Sequence, residues 1–459
     1  MGLVSRQVGL AAGHAHRRLL RIMVGAAVLV VVVGLDATGG ARPPMQTGAT
    51  TTSTAPVRAG AAAPAETPRW GPPERVAAKR VSEDSNGAVV RVRGDDVVAL
   101  WDVPEAGHPG PVLLRTSSRE PAGRWSAPRT VARVAAALAG YDLALGPDHT
   151  ALVVWATGDR IAHVMESHRE HGVWSRPHRL GGETATDPRP VIDGRGGMTV
   201  AWVSFPNGSR LDVATRPPKG DWSGVTHVAR FDGDPDLATN RRGDVVAAWG
   251  IGNGVGVAVR RHGEDWGPPH VVHGTIGFPD RPEVAIGPRG RVLVMWTRST
   301  EDETFTRRHL AWARSRLDGT WTPVGYLDTR RGLVLGSQVS LSMNRRGRAL
   351  AVWWSDVGFG DMRAARFRFG HGWSRPHDLG PFCCSPTALL TDSGTAVALL
   401  DQTRHGAATG WAFQDPGRRW LTHRLGAVTG VVDAHGDARR MALVYFAPRL
   451  TSRVLTVPR

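Results

Sequence analysis

Lysine is almost absent from this chain. Lys79 and Lys219 are the only two, so arginine carries nearly all of the positive charge behind a formal net charge of +16. Cysteine is as scarce, with Cys383-Cys384 the only pair. That excludes a cysteine-built zinc ribbon and a small disulfide framework. No apolar run exceeds Ile22–Leu35, "IMVGAAVLVVVVGL", at about 14 residues short for a membrane span and of the length of a signal segment. The patterns H-E-x-x-H, C-x-x-C, G-x-S-x-G and G-x-x-x-x-G-K are all missing. The commonest zinc-hydrolase, redox, serine-hydrolase and phosphate-loop chemistries go with them. The arginines are spread over the whole chain and mark no patch along it. They fit either an acidic partner or a bias toward arginine codons.

The short apolar run has the form of an export signal. Arg6, Arg17, Arg18 and Arg21 precede it, and Gly39-Gly40-Ala41 offers a cleavage site after it. Arg17-Arg18 before Leu19-Leu20 fits a loose twin-arginine signal, and Sec export fits equally. No cysteine follows the run, so a lipoprotein anchor is excluded. Residues 1–41 are read as a signal peptide or an uncleaved anchor, and 42–69 as an Ala/Thr/Pro-rich linker. The expected location is secreted or extracytoplasmic, with membrane contact only through the N-terminal segment.

What the chain has in plenty is glycine (56), proline (32) and tryptophan (17), a loop-rich and strand-rich composition. Their order is periodic. "RRGDVVAAWG" at Arg241–Gly250 returns as "PRGRVLVMWT" and "RRGRALAVWW". Tryptophan closes such a run at Trp101, Trp155, Trp202, Trp249, Trp296 and Trp353, and Leu400 and Tyr445 continue the series at steps near 47 residues. A second series falls at Trp70, Trp125, Trp174, Trp222, Trp266, Trp321, Trp373 and Trp420, each opening text such as "WSRPHRLG".

A period of that length with short strands predicts an all-β propeller of four-stranded blades. Strand A is short, as in "PDLAT". A glycine turn leads to strand B, "DVVAAW", apolar on both faces as blade-on-blade packing requires. Strand C is half polar, and the prolines of strand D suit an outer edge. Trp70 opens a strand D with nothing before it, while the C-terminus supplies A, B and C with no D after them. The two fragments complete one unit, which closes the ring. The count is eight blades over residues 70–459, with seven and one insertion as the alternative.

These repeats resemble the tandem G-x-A-x-A-x-W … G-x-W-x-x-P repeats of secreted bacterial propellers described as sialidase-like. The resemblance runs from Trp70 to the C-terminus and implies the fold. Sialidase catalysis would need S-x-D-x-G-x-T-W boxes, an arginine triad led by R-I-P, and a Tyr/Glu nucleophile pair. Here the nearest box is "SRLDGTW" at Ser315–Trp321, R-I-P is absent, and the only tyrosines are Tyr141, Tyr326 and Tyr445. The catalytic set does not transfer.

Candidate chemistry therefore lies where strand A begins, at the channel mouth. Thirteen positions before each strand-B marker stand Ala88, Asp142, Arg189, Asp236, Glu283, Ser340, Thr387 and Val432; two earlier stand Asp187, Asp234 and Arg281 among others. Two of these carboxylates at suitable separation could hydrolyse a glycosidic bond, and Asp187, Asp234 and Glu283 are the candidates. The plainer reading is a polar lining for a wet channel. Glu301, Asp302 and Glu303 form an acidic B–C loop that could take a hard cation but has no EF-hand spacing. Cys383 and Cys384 lie in a D–A loop, where an oxidising exterior could close a vicinal disulfide and leave a rigid knuckle at a binding surface. Eight-bladed quinoprotein dehydrogenases carry such a pair over their cofactor, but their A-x-D-x-x-T-G-x-x-x-W repeat is absent here.

No cofactor is implied. Nucleic acid is disfavoured by export and by the lack of a basic stripe with interleaved aromatics. The expectation is a secreted or envelope propeller that binds a glycan, an envelope polymer or a protein through its loop face, with a glycoside hydrolase or lyase as the alternative.

Overall fold

Strand B fixes the architecture, because a run that is apolar on both faces must be covered twice. The computed structural model describes residues 67–458 except 78–86, 106–110, 121–122, 136–137, 159–161, 182–183, 206–208, 231–232, 234, 274–278, 303–304, 318–319, 329–338, 356–360, 384, 401, 404–408, 427, 429–430 and 448. Every regular element among the described residues is an antiparallel strand, and all fall in the unit Pro68–Arg459. The signal and linker readings lie outside the described residues.

Eight sheets form blades, seven of them in chain order A-B-C-D and the eighth with its outer strand from the N-terminal end of the folded unit, and a ninth is a separate two-stranded ribbon. Blade 1 is Ala88–Arg93, Asp96–Pro104, Val112–Arg119 and Arg129–Val134. Blade 2 begins at Leu138–Leu145, blade 3 at Ala185–Ile192, blade 4 at Asp236–Thr239 and blade 5 at Pro279–Ile286. Blade 6 begins at Val339–Met343, blade 7 at Thr387–Leu390 and blade 8 at Val431–Asp437. Each strand A touches the strand A of the next blade, and that of blade 8 touches that of blade 1. The ring is closed at eight.

Closure uses both ends of the folded unit. Arg69–Trp70 and Glu74–Arg75 pair with Leu450–Thr456, the third strand of blade 8, with Trp70 opposite Leu455 and Glu74 opposite Ser452. The same segment is clamped to blade 1. Glu74 accepts from Arg119 Nε at 2.6 Å and Nη2 at 2.7 Å, and Trp125 Nε1 donates to Ser452 Oγ at 2.8 Å.

Core packing sits between blades. Trp101, Trp155, Trp202, Trp249, Trp296 and Trp353 are buried, and Leu400 and Tyr445 fill the same place in blades 7 and 8. In blade 4 the indole of Trp249 lies against Gly256, where a Cβ would come within 2.3 Å of the ring. The second tryptophan series is half-buried, and strand D is broken just after it. In blade 1 the strand resumes at Arg129, after Pro128, which has no N–H to donate. The residue after the tryptophan still bonds strand C, as Ser126 N to Ser118 O at 2.9 Å.

The A–B turns of blades 3, 4 and 6 share one geometry. Asn240 Oδ1 accepts from the N–H of Arg242 (2.8 Å) and Asp244 (3.2 Å), and Asn344 Oδ1 accepts from Arg346 (3.0 Å) and Arg348 (3.1 Å). Asp193 does the same for Arg195 and Gly197. Gly243 follows at φ 92°, a conformation that glycine reaches without steric cost. Asn344 Nδ2 then donates to Thr391 O of the next blade at 2.8 Å, so this turn also fastens neighbours.

Candidate functional site

Strand A is the inner edge of each blade and leaves backbone donors facing its neighbour. Polar side chains on the preceding blade take them. Asp236 Oδ2 accepts from Val284 N at 2.8 Å, and Asp433 Oδ2 from Val90 N at 2.9 Å. His435 Nδ1 accepts from Val92 N at 3.1 Å, and Ser340 Oγ and Ser342 Oγ accept from Ala388 N and Leu390 N. The polar ring thus stitches blade to blade before it does anything else.

One sector of that ring is charged. Arg91 Nη2 reaches Asp142 Oδ1, Arg91 Nη1 reaches Asp433 Oδ2 at 2.8 Å, and Arg189 Nη1 stands 3.5 Å from Asp142 Oδ2. Burial opposes the charge on Arg91, but Asp142 and Asp433 outweigh it and raise its pKa. Burial also pushes Asp433 up, against the pull of Arg91. Asp236 is pushed up to about 6 by burial, with the Val284 N–H and Arg189 offsetting part of the effect. His435 is held down at about 3, first by burial and then by Arg91, and stays neutral. A neutral Nδ1 is what accepting the Val92 N–H requires.

Asp142, Arg189, Asp236 and Glu283 occupy equivalent positions, opposite Val154, Ala201, Ala248 and Met295 of their strands B. In blades 1 and 8 the equivalent residues are Val89 and Asp433, opposite Leu100 and Val444, in place of Ala88 and Val432. The cause is a shorter A–B turn there: Arg93 pairs with Asp96, and Asp437 with Arg440. The glycine six residues before the marker is missing at both places, but His149 replaces it in blade 2 as well, where the register is kept, so its absence alone does not give the turn length. Asp433 went unforeseen for this reason, whereas Arg91 and His435 lie two positions further along strand A, in a row the count did not sample.

Asp187 sits at a register shift between Thr186 and Arg189, buried, at φ 49° and directly before Pro188. A non-glycine residue in that region is held there by its surroundings. Arg281 lies in the blade 5 strand Pro279–Ile286, its side chain outside what is described, and Asp234 is outside the described residues.

Two departures from the repeat stand on the loop face. In blade 5, strands Arg291–Asp302 and Phe305–Arg316 have 12 residues each, against five to nine for strand B in the other blades. Glu301 pairs with Thr306 and Asp302 with Phe305, so these acids belong to the end of a long hairpin and not to an open B–C loop. Glu303 and the side chains of Glu301 and Asp302 lie outside the described residues. Between blades 6 and 7, Phe382–Cys383 pairs with Gln402–Thr403, joining a D–A connection to a B–C connection. Cys384 and the Cys383 side chain are likewise outside, so the disulfide has no geometry to report. Among the described residues no group of three His, Cys, Asp or Glu side chains converges as a metal site would, and no helix is long and apolar enough to cross a membrane.

No protein-family model matches the chain, and no curated protein matches it. Solved structures do. A lectin from Burkholderia pseudomallei, BP39L, is 14% identical with a TM-score of 0.49, over 75% of this chain and 99% of its own. An ulvan lyase of polysaccharide lyase family 25 is 9% identical with a TM-score of 0.48, over 84% and 95%. The NanB sialidase of Streptococcus pneumoniae is 10% identical with a TM-score of 0.38, over 80% and 71%. The likeness is one of β-propeller fold at low identity.

Proposed function

We propose that this chain is a secreted or cell-envelope propeller that holds a glycan or envelope polymer on its loop face. The observation that carries the reading is the irregularity of the loop face. In blades 3, 4 and 6 the turn face repeats an Asx geometry that serves packing, whereas the long blade 5 hairpin and the Cys383–Gln402 ribbon depart from the repeat on the loop face. Departures from local consistency mark functional places more often than structural ones. The channel carboxylates fit holding better than proton transfer, since Asp142 and Asp433 are tied to Arg91 and Asp236 to a backbone N–H. Export through the Ile22–Leu35 segment and a Cys383-Cys384 disulfide belong to the same reading, and mass spectrometry of the cysteine peptide tests the latter.

The decisive experiment is a glycan-array screen and an envelope pull-down with the purified full chain. Binding is expected, and deleting the hairpin end from Ser299 to Arg308 should lower it at least tenfold with the unfolding temperature nearly unchanged. An array without hits and an empty pull-down remove the reading. One observation favours a glycosidase or lyase instead: a channel carboxylate, Asp236, titrates near 6, close to the range a general acid needs. Under that reading, Asp236→Asn abolishes any glycan cleavage, as does replacing the other candidate carboxylates Asp187, Asp234 and Glu283 together.

A further inference from the structure

The opposite face of the ring carries a different chemistry. Arginines that stand about one repeat apart in the sequence come side by side in the A–B turns of blades 4 to 6. Between the turns of blades 5 and 6 lies a cleft of about 290 Å³ lined by Pro288, Arg289, Arg291, Arg345, Arg346 and Gly347. Arg289, Arg345 and Arg346 are exposed. Arg291 is held in place, its guanidinium 5.1 Å from the Phe369 ring centroid. Gly347 leaves it room, since a Cβ there would stand 3.1 Å from Arg291 Nη1.

Neighbouring turns show what such a junction takes. Between blades 6 and 7, Asp392 accepts from the Arg345 N–H at 2.9 Å and from its Nε at 3.3 Å. Between blades 8 and 1, Asp437 accepts from Gly94 N and Asp95 pairs with Arg440. Between blades 1 and 2, Asp96 meets His149. At each junction a carboxylate of the chain satisfies the donors. At the blade 5–6 cleft the corresponding turn positions are Pro288 and Arg345, and among the described residues no carboxylate pairs with Arg289, Arg291 or Arg346.

We infer that the turn face carries an oxyanion site between blades 5 and 6, formed by Arg289, Arg291 and Arg346, that takes the phosphate, sulfate or carboxylate groups of a polyanion. Planar guanidinium forks match such groups in pairs. The site is independent of the loop face and stands if the loop-face reading fails.

The test is calorimetric titration of the full chain with inorganic phosphate and with linear polyphosphate, at several salt concentrations. Polyphosphate is expected to bind, and R289Q combined with R346Q to weaken it at least tenfold and flatten its salt dependence. The exposed pair R418Q and R419Q serves as the control and should leave binding within twofold. Arginine-dependent binding of polyphosphate alone names a polymer as the source, and equal binding of inorganic phosphate names the free ion. No binding of either probe at low salt overturns the site, as does binding that survives R289Q/R346Q. Unfolding temperature, expected to be unchanged in both variants, separates lost binding from lost fold.

Discussion

At the residue scale, the channel holds two groups whose titrations pull in opposite directions. His435 is neutral in the folded chain, at about 3 against an ordinary 6.5. Between those values the unfolded chain binds a proton that the folded chain refuses. Its contribution to stability is therefore complete above pH 6.5 and is lost as the pH falls toward 3. Asp236 behaves in reverse, at about 6 against an ordinary 3.8. The folded chain takes up that proton first, so stability declines as the pH rises from about 4 to 6 and stays lowered above. Each pKa unit is worth about 1.4 kcal/mol. Asp236→Asn keeps an oxygen for the Val284 N–H and removes the charge, and it should stabilise the protein at pH 7 by on the order of 1–2 kcal/mol. That gain should vanish near pH 4. His435→Asn should flatten the acid limb. Urea midpoints from pH 4 to 7.5 read both, and a gain for Asp236→Asn that does not change with pH would sink its assignment.

At the element scale, the A–B turn shows why one residue type recurs. Asn344 accepts two backbone N–H groups through Oδ1 and donates to Thr391 O through Nδ2, all while buried. Asn344→Ala leaves those groups without partners and should cost about 2–3 kcal/mol. Asn344→Asp keeps the Oδ1 acceptor but sets a second acceptor oxygen against Thr391 O in place of the donor, so its loss reads the link to blade 7. Guanidinium unfolding separates the two, and an Asn344→Asp variant as stable as the parent would mean that the link to Thr391 is idle. The turn also explains how far the site could be read in advance. Positions counted back from the strand-B tryptophan found Asp142, Arg189, Asp236 and Glu283 because those blades share one turn length. They missed Asp433 because Ala438-Arg439 makes a two-residue turn in blade 8. Arg91 escaped on another ground, because it stands two residues past Val89, the equivalent position in blade 1, in a row that this count does not reach. Period predicts fold well, since every blade must bury the same surfaces. It predicts a site only where the register is kept.

At the scale of the whole molecule, a repeat turns distance along the chain into adjacency around a ring. The arginines look scattered in the sequence because it is linear. Arg289 and Arg346 become neighbours only when blades 5 and 6 pack. Closure was legible for the opposite reason, because the phrase at Trp70 reads as a strand D alone and Val431–Arg459 reads as strands A, B and C, so the two complete one unit. What the sequence could not show is how the closing strand is secured. Its pairing with Leu450–Thr456 is short, and the Glu74–Arg119 pair, largely buried, ties it to blade 1 in two hydrogen bonds. A half-buried bidentate pair that loses one partner leaves the other charge stranded, and Arg119→Ala should cost about 2–3 kcal/mol. The effect should be local before it is global. Amide exchange should quicken first in Leu450–Thr456, whose backbone acceptors the closing segment covers, and blades 3 to 5 should keep their protection until the ring opens. Reversing the pair, with Glu74→Arg and Arg119→Glu together, should restore much of the loss. Exchange that quickens evenly around all eight blades in Arg119→Ala would show that the closing strand is not where the ring opens.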